Sequence, residues 1–103
     1  MELEREIEAY LGREARAMGC LWYKFVSPGA RGVPDRILIL PDGKLIFVEL
    51  KTESGELALL QMRQIERLRS WGQTVYVIRG MDKARAFAAQ LQAKYGRRKH
   101  GKG

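Results

Sequence analysis

Apolar residues recur at helical spacing over residues 2–18, where Leu3, Ile7, Leu11, Ala15 and Met18 form one stripe and Gly19 follows as a stop. Gly12 weakens the middle of that helix. Residues 20–26 (CLWYKFV) are aromatic and β-branched and predict a strand; residues 27–34 (SPGARGVP) hold two glycines and two prolines and predict a loop. Two apolar runs follow, 36–40 (RILIL) and 45–50 (LIFVEL), joined by PDGK, a hairpin signal. Neither run alternates, so both strands are expected to be covered on both faces. Residues 57–71 predict a helix with Leu57, Leu60, Gln64, Ile65, Leu68 and Trp71 on one side, ended by Gly72. Residues 74–78 (TVYVI) predict a fourth strand, and the alanine-rich 82–95 a last helix. The order α-β-β-β-α-β-α, with a hairpin and then a helical crossover, implies an α/β fold: a mixed central sheet flanked by helices.

Length and charge narrow the picture. The 103 residues suffice for one small domain, expected over 1–95, with a shallow site or one shared between subunits. The formal charge of +7 favours a polyanionic partner. Much of it is terminal: without Arg97, Arg98, Lys99 and Lys102, 15 basic residues face 12 acidic ones, a balance of +3. Residues 96–103 therefore read as a basic flexible tail. A single cysteine, Cys20, forbids an intrachain disulfide and points to an intracellular, cytoplasmic protein. No apolar run is long enough for a membrane span, and the acidic start does not read as a signal peptide.

The acids carry the chemistry. Asp42 precedes Gly43 between two strands, and a turn explains it. Asp35 sits where the Gly-Pro loop enters an apolar strand, and its plain reading is a capping or solvated strand end. Glu49 lies in the otherwise apolar 45–50 run, where a carboxylate costs several kcal/mol unless it is paired or metal-bound. Lys51 shares its strand face, which fits an in-strand ion pair or a working site equally. A two-residue Asp42-Gly43 turn sets Asp35 opposite Leu50, pointing away from Glu49; a three-residue loop or one bulge sets it opposite Glu49. A shared site therefore requires that the hairpin is not a plain two-residue turn, or that Asp35 lies just before the ladder. If the acids converge, Asp35, Glu49 and the backbone carbonyl of Leu50 offer hard oxygen ligands suited to Mg²⁺ or Mn²⁺. Lys51 would then face the same phosphate.

Pro34-Asp35 followed by Glu49-Leu50-Lys51 resembles the PD-(D/E)XK nuclease signature. The longer pattern KFVSPGARGVPDRILILPDG, then FVELK, Gln61 and TVYVI, is similar to the VRR-NUC family, the virus-type replication-repair nucleases, over about residues 2–80. The resemblance implies a restriction-endonuclease-like core and Mg²⁺- or Mn²⁺-dependent cleavage of DNA phosphodiesters. It also implies a preference for DNA structure over sequence, kinship with Holliday-junction resolvases, a homodimer, and a phage or prophage origin. It further implies an acid from the first helix: Glu8, eleven residues before Gly19, with Glu4 one turn earlier and Glu14 in the apolar stripe as rivals. Gln61 matches the family's helix glutamine, although Ile65 stands where related nucleases often have tyrosine.

Lys24, Arg31, Arg36, Arg63 and Arg67 are the candidate DNA contacts. Trp22, Tyr23 and Trp71 read as core or interface aromatics, and Cys20 as core. His100 lacks partners for zinc, and no P-loop or dinucleotide fingerprint implies a nucleotide cofactor. The rival function is a non-catalytic DNA-binding module whose acids and lysine form a structural ion-pair cluster. A sequence-specific restriction enzyme would need a recognition domain for which the chain has no room.

Overall fold

A computed structural model describes residues 3–96, so the basic tail expected over 96–103 lies, apart from Gly96, outside the described residues. The elements run α1 (Glu4–Ala17), β1 (Leu21–Lys24), β2 (Arg36–Ile39), β3 (Leu45–Lys51), α2 (Leu59–Ser70), β4 (Thr74–Arg79) and α3 (Gly80–Tyr95). This is the α-β-β-β-α-β-α order that the sequence predicts. The four strands form one sheet in the order β1-β2-β3-β4; the first two pairings are antiparallel, and β3 pairs with β4 in parallel across the α2 crossover.

Strand alternation divides the sheet into two unlike faces. Trp22, Leu38 and Ile46 are neighbours across β1, β2 and β3. With Val48, Leu50 and Ile78 they join Ile7, Leu11 and Ala15 of α1 and Ala84, Phe87, Ala88 and Leu91 of α3 in one buried cluster. Gly12 makes room for this packing, because a Cβ there would lie 3.1 Å from Cδ1 of the Trp22 indole. The other face carries α2. Its Ile65 and the β4 residue Val75 are buried, apart from the main cluster.

That second face corrects two expectations. The two hairpin strands are not fully covered on both sides: Leu45 is exposed, and Ile37, Ile39 and Phe47 are half-buried. Nor is the α2 stripe a core stripe. Leu60 is exposed; Trp71 and Tyr23, read as core or interface aromatics, are 77% and 51% exposed and so are not core. The physical reason is coverage. The helix reaches β4 and the adjoining edge of the sheet, and Ile65 is its one buried residue. α2 also starts at Leu59, two residues after the expected 57, because Ala58 is extended at φ −71, ψ 159. α3 starts at Gly80, before the expected 82.

The hairpin decides the site. Arg36 pairs with Val48, Ile37 with Phe47, Leu38 with Ile46 and Ile39 with Leu45. The Leu40 N–H donates to the Lys44 carbonyl at 2.8 Å, and the Gly43 N–H donates to the Leu40 carbonyl at 2.8 Å. The connection is therefore three residues, Pro41-Asp42-Gly43, with Gly43 at φ +92 as a three-residue hairpin requires. Asp42 serves the turn: its carboxylate accepts from the Lys44 N–H at 3.1 Å and from the Tyr95 hydroxyl at 3.1 Å.

Candidate active site

Continued one step, the β2–β3 register sets Asp35 opposite Glu49, just before β2 begins. The Asp35 backbone is fixed from the other side, where its carbonyl accepts from the Phe25 N–H at 2.8 Å. Asp35, Glu49 and Lys51 thus share the face that carries α2, while Arg36 and Leu50 point toward α1 and α3. The alternation condition for a shared site is met by loop length.

Glu49 is 5% exposed, and its pKa is pushed up to about 7. Burial is the largest cause and the nearby Asp35 charge the next; Lys51 and Arg36 pull the other way, and Glu4 adds a further upward push. Its Oε2 accepts from Gln61 Nε2 at 3.0 Å and lies 4.0 Å from Lys51 Nζ. Gln61 does a second job. As the third residue of α2 it accepts the Ala58 N–H on Oε1 at 2.8 Å, half of a capping box. One side chain therefore starts the helix and ties it to the buried acid. Asp35 is the opposite case, with its side chain 57% exposed.

The first helix divides its acids. Glu8 Oε2 accepts from Trp22 Nε1 at 3.0 Å and from Arg36 Nε at 3.3 Å. Arg36 also donates through Nη1 to the Asp35 carbonyl at 3.0 Å and lies 3.7 Å from its carboxylate. Glu4, Arg5, Glu8, Asp35, Arg36 and Leu50 line one shallow cleft of about 260 Å³. Glu14, further along α1, does not line it. Glu8 is thus at the cleft but held on the α1 side by an indole and a guanidinium, whereas Glu4 acts electrostatically on Glu49.

Of the candidate DNA contacts, Lys24, Arg31, Arg63 and Arg67 are exposed. Lys24 pairs across the strands with Arg36 and shares its α1-side face. Arg36 is not a solvated surface cation but the partner of Glu8 and Asp35. Trp22, read as a core or interface aromatic, lies in the core and also supports Glu8 through its N–H, a role that no spacing in the sequence announces. Cys20 is buried, and burial, then the Asp42 charge, pushes its thiol pKa up, consistent with a core residue.

Asp35 and Glu49 bring two carboxylates to the face that carries α2. Among the described residues, no group of three or more acidic, histidine or cysteine side chains is arranged to hold a metal. A hard cation that keeps several waters and takes only one or two carboxylates suits the pair, and a buried acid raised by a second acid is a place where such a charge is favoured.

A four-stranded mixed sheet, with acid, acid and lysine converging at its hairpin, is the nuclease-type α/β core that the signature implies. The model of the VRR-NUC domain matches residues 2–82. A solved structure described as a VRR_NUC domain superposes with a TM-score of 0.78 at 31% identity, covering 84% of this chain and 94% of that one. A protein named "Putative nuclease p44", from Acyrthosiphon pisum secondary endosymbiont phage 1, is 48% identical over 84 residues, covering 80% of this chain and 90% of its own length. The chain belongs to the VRR-NUC family of nucleases. No helix among the described residues is long and apolar enough to cross a membrane.

Proposed function

We propose that this nuclease is a Mg²⁺- or Mn²⁺-dependent endodeoxyribonuclease that selects branched DNA, such as four-way junctions, and works as a homodimer. The observation that carries the reading is the three-residue hairpin, which sets Asp35 opposite Glu49 with Lys51 on the same face. Asp35, Glu49 and the Leu50 carbonyl are the groups that would hold the cation. When bound, such an ion supplies charge for a phosphate oxygen and lowers the pKa of a water. Gln61 holds Glu49 in one orientation, so its free oxygen is aimed before substrate arrives. Lys51, on the same face, orients the attacking water or stabilises the pentavalent phosphate. Arg36 bridges Asp35 to the Glu8 carboxylate and steadies the end of β2. Of the first-helix acids, Glu4 is the one whose charge is felt at Glu49.

A symmetric junction requires two cuts related by a two-fold axis, and each chain has one such site, which is the argument for a dimer. The test is cleavage of labelled four-way junction, 5′ flap and linear duplex in Mg²⁺, Mn²⁺ or EDTA, with wild type and Asp35→Ala. Metal-dependent paired nicks in the junction, absent from the variant, support the reading. Binding with no cut in any lane overturns it in favour of a non-catalytic module.

A further inference from the structure

We infer that the exposed flank of α2 is a docking ridge for the DNA strand at a branch, with Arg63 and Arg67 on its phosphates and Trp71 stacked on an unpaired base. The inference rests on the branched-DNA reading and says how the branch is sensed.

Four observations carry it. First, Leu60, Arg63, Arg67 and Trp71 fall at i, i+3, i+7 and i+11, within about 80° of one another around a helix. They form one continuous flank rather than scattered charges. Second, the side chains of this flank are all exposed, and the groups that hold α2 lie elsewhere. α2 is held by Ile65, by the Gln61–Glu49 hydrogen bond and by Arg69, which donates to the Val75 carbonyl at 2.6 Å. Third, Trp71 is the most exposed large apolar residue among those described, at 77%. Its backbone is nevertheless fixed, because its N–H donates to the carbonyls of Arg67 at 3.2 Å and Leu68 at 3.1 Å. An indole held out into water from an ordered backbone is a ready stacking platform. Fourth, the flank is basic and runs from the candidate active site. A Cβ on Gly32 would meet the Leu60 carbonyl at 2.7 Å, so the loop bearing exposed Arg31 abuts the start of the ridge. Glu66 is the one acid lining the shallow groove beside it.

The spacing suits a strand. Arg63 and Arg67 lie about 6 Å apart along the helix axis, close to two base steps of roughly 3.4 Å. Trp71 lies about 15 Å beyond Gln61, or about four base steps. A strand entering the site along α2 thus meets two guanidinium groups and then an aromatic face. Paired bases are closed to that face, and bases at a branch are open to it. Charge complementarity favours a polyanion over a second protein surface here.

The test is fluorescence-anisotropy binding of labelled four-way junction, 5′ flap and fully paired duplex to the full chain in EDTA. The proteins are wild type, Trp71→Ala, Trp71→Phe and the double variant Arg63→Gln/Arg67→Gln. Trp71→Ala should weaken junction and flap binding on the order of tenfold and leave duplex within about twofold, with Trp71→Phe retaining most affinity. The double variant should weaken all three and lower the salt slope by up to about 2. Junction binding should quench the tryptophan emission of wild type but not that of Trp71→Phe, whose remaining indole, Trp22, is buried. Trp71→Ala binding every DNA like wild type overturns the inference, as does an equal loss on duplex. So does a variant that keeps its DNA affinity but sediments as a monomer where wild type is a dimer, which would assign the ridge to protein contact. Cleavage assayed on the same DNAs separates the two readings. A wild type that cuts nothing while Trp71→Ala loses junction binding keeps the ridge and removes the metal-dependent endonuclease. A wild type that cuts while Trp71→Ala binds unchanged removes the ridge alone.

Discussion

The two faces of one strand, β3, are built for opposite ends. Ile46, Val48 and Leu50 point into the cluster with α1 and α3 and are at most 5% exposed. Phe47, Glu49 and Lys51 point to the face that α2 only half covers. The first set supplies stability by excluding water. The second places a carboxylate where burial penalises its charge, with a second acid close enough to penalise it further. A domain of this size gains room for a site by giving up cover on one side of its sheet, and the exposed Leu21, Tyr23 and Leu45 are the visible cost.

The sharpest way to break this contrast is to change the acids without touching the core. Asp35→Asn and Glu49→Gln should each lower cleavage by on the order of 10²–10³-fold or more, as measured by single-turnover kinetics, because each removes charge at the site of reaction. Neither should unfold the protein, and Glu49→Gln should melt at least as high as wild type at pH 8. Loss of activity accompanied by loss of structure would mean that the two faces are not separable.

The core face should answer in the reverse sense. Leu38 is fully buried, so Leu38→Ala should cost about 3 kcal/mol of unfolding free energy in urea titrations. Tyr23, which pairs with the neighbouring Ile37 and points to the other face of the sheet, offers the control. Tyr23→Ala on the open face, where Tyr23 is exposed, should cost less than about 1 kcal/mol. Comparable losses at both positions would show that something covers the open face in solution, and the proposed dimer is the first candidate.

How far this division could be read in the sequence depends on the residue. Alternation alone placed Glu49 and Lys51 together, and the Asp-Gly pair announced a hairpin. Whether Asp35 joins them hangs on one residue of loop length, which the β2–β3 register and the Leu40–Lys44 hydrogen bond fix at three. The first-helix acid was not legible, because Glu4 and Glu8 are one turn apart. What separates them is their partners in the fold, where Trp22 and Arg36 reach Glu8. The exposure of Trp71 has a related reason: a helical apolar stripe says where a surface could be buried, not whether the sheet is wide enough to bury it.

A pH titration sharpens the electrostatic half of the comparison. The pKa of Glu49 is raised from 4.5 to about 7 in the fold, so the folded state favours the protonated acid. Its contribution is therefore fully present below about pH 4.5 and is lost as pH rises through 7. In chelator, unfolding free energy should fall across that window by up to about 3 kcal/mol in wild type. Glu49→Gln should lack this component. A wild-type profile flat between pH 5 and 8, or one unchanged by the substitution, would mean that the carboxylate is solvated and the site is not the half-buried one described.

The smallest expected effect tests what joins the two halves of the site. Gly32 sits at φ +87, and a Cβ there would lie 2.7 Å from both the carbonyl carbon and oxygen of Leu60 and 3.1 Å from the Gln61 nitrogen. The loop that delivers Asp35 therefore rests directly on the first turn of the helix that delivers Gln61. Gly32→Ala should cost about 2 kcal/mol, since both the left-handed backbone and the close approach are lost to a side chain. Backbone cannot yield as a flexible side chain does, so the loop must lift. Lifting it moves Asp35 relative to Glu49, and cleavage should fall on the order of tenfold more than the fraction unfolded explains. Gly19→Ala is the matched control. It also has positive φ, at +80, but nothing lies within 4 Å of its Cβ position, so it should lose stability without that extra loss of rate. Equal behaviour of the two variants would mean that the contact with α2 holds the fold but does not align the acids.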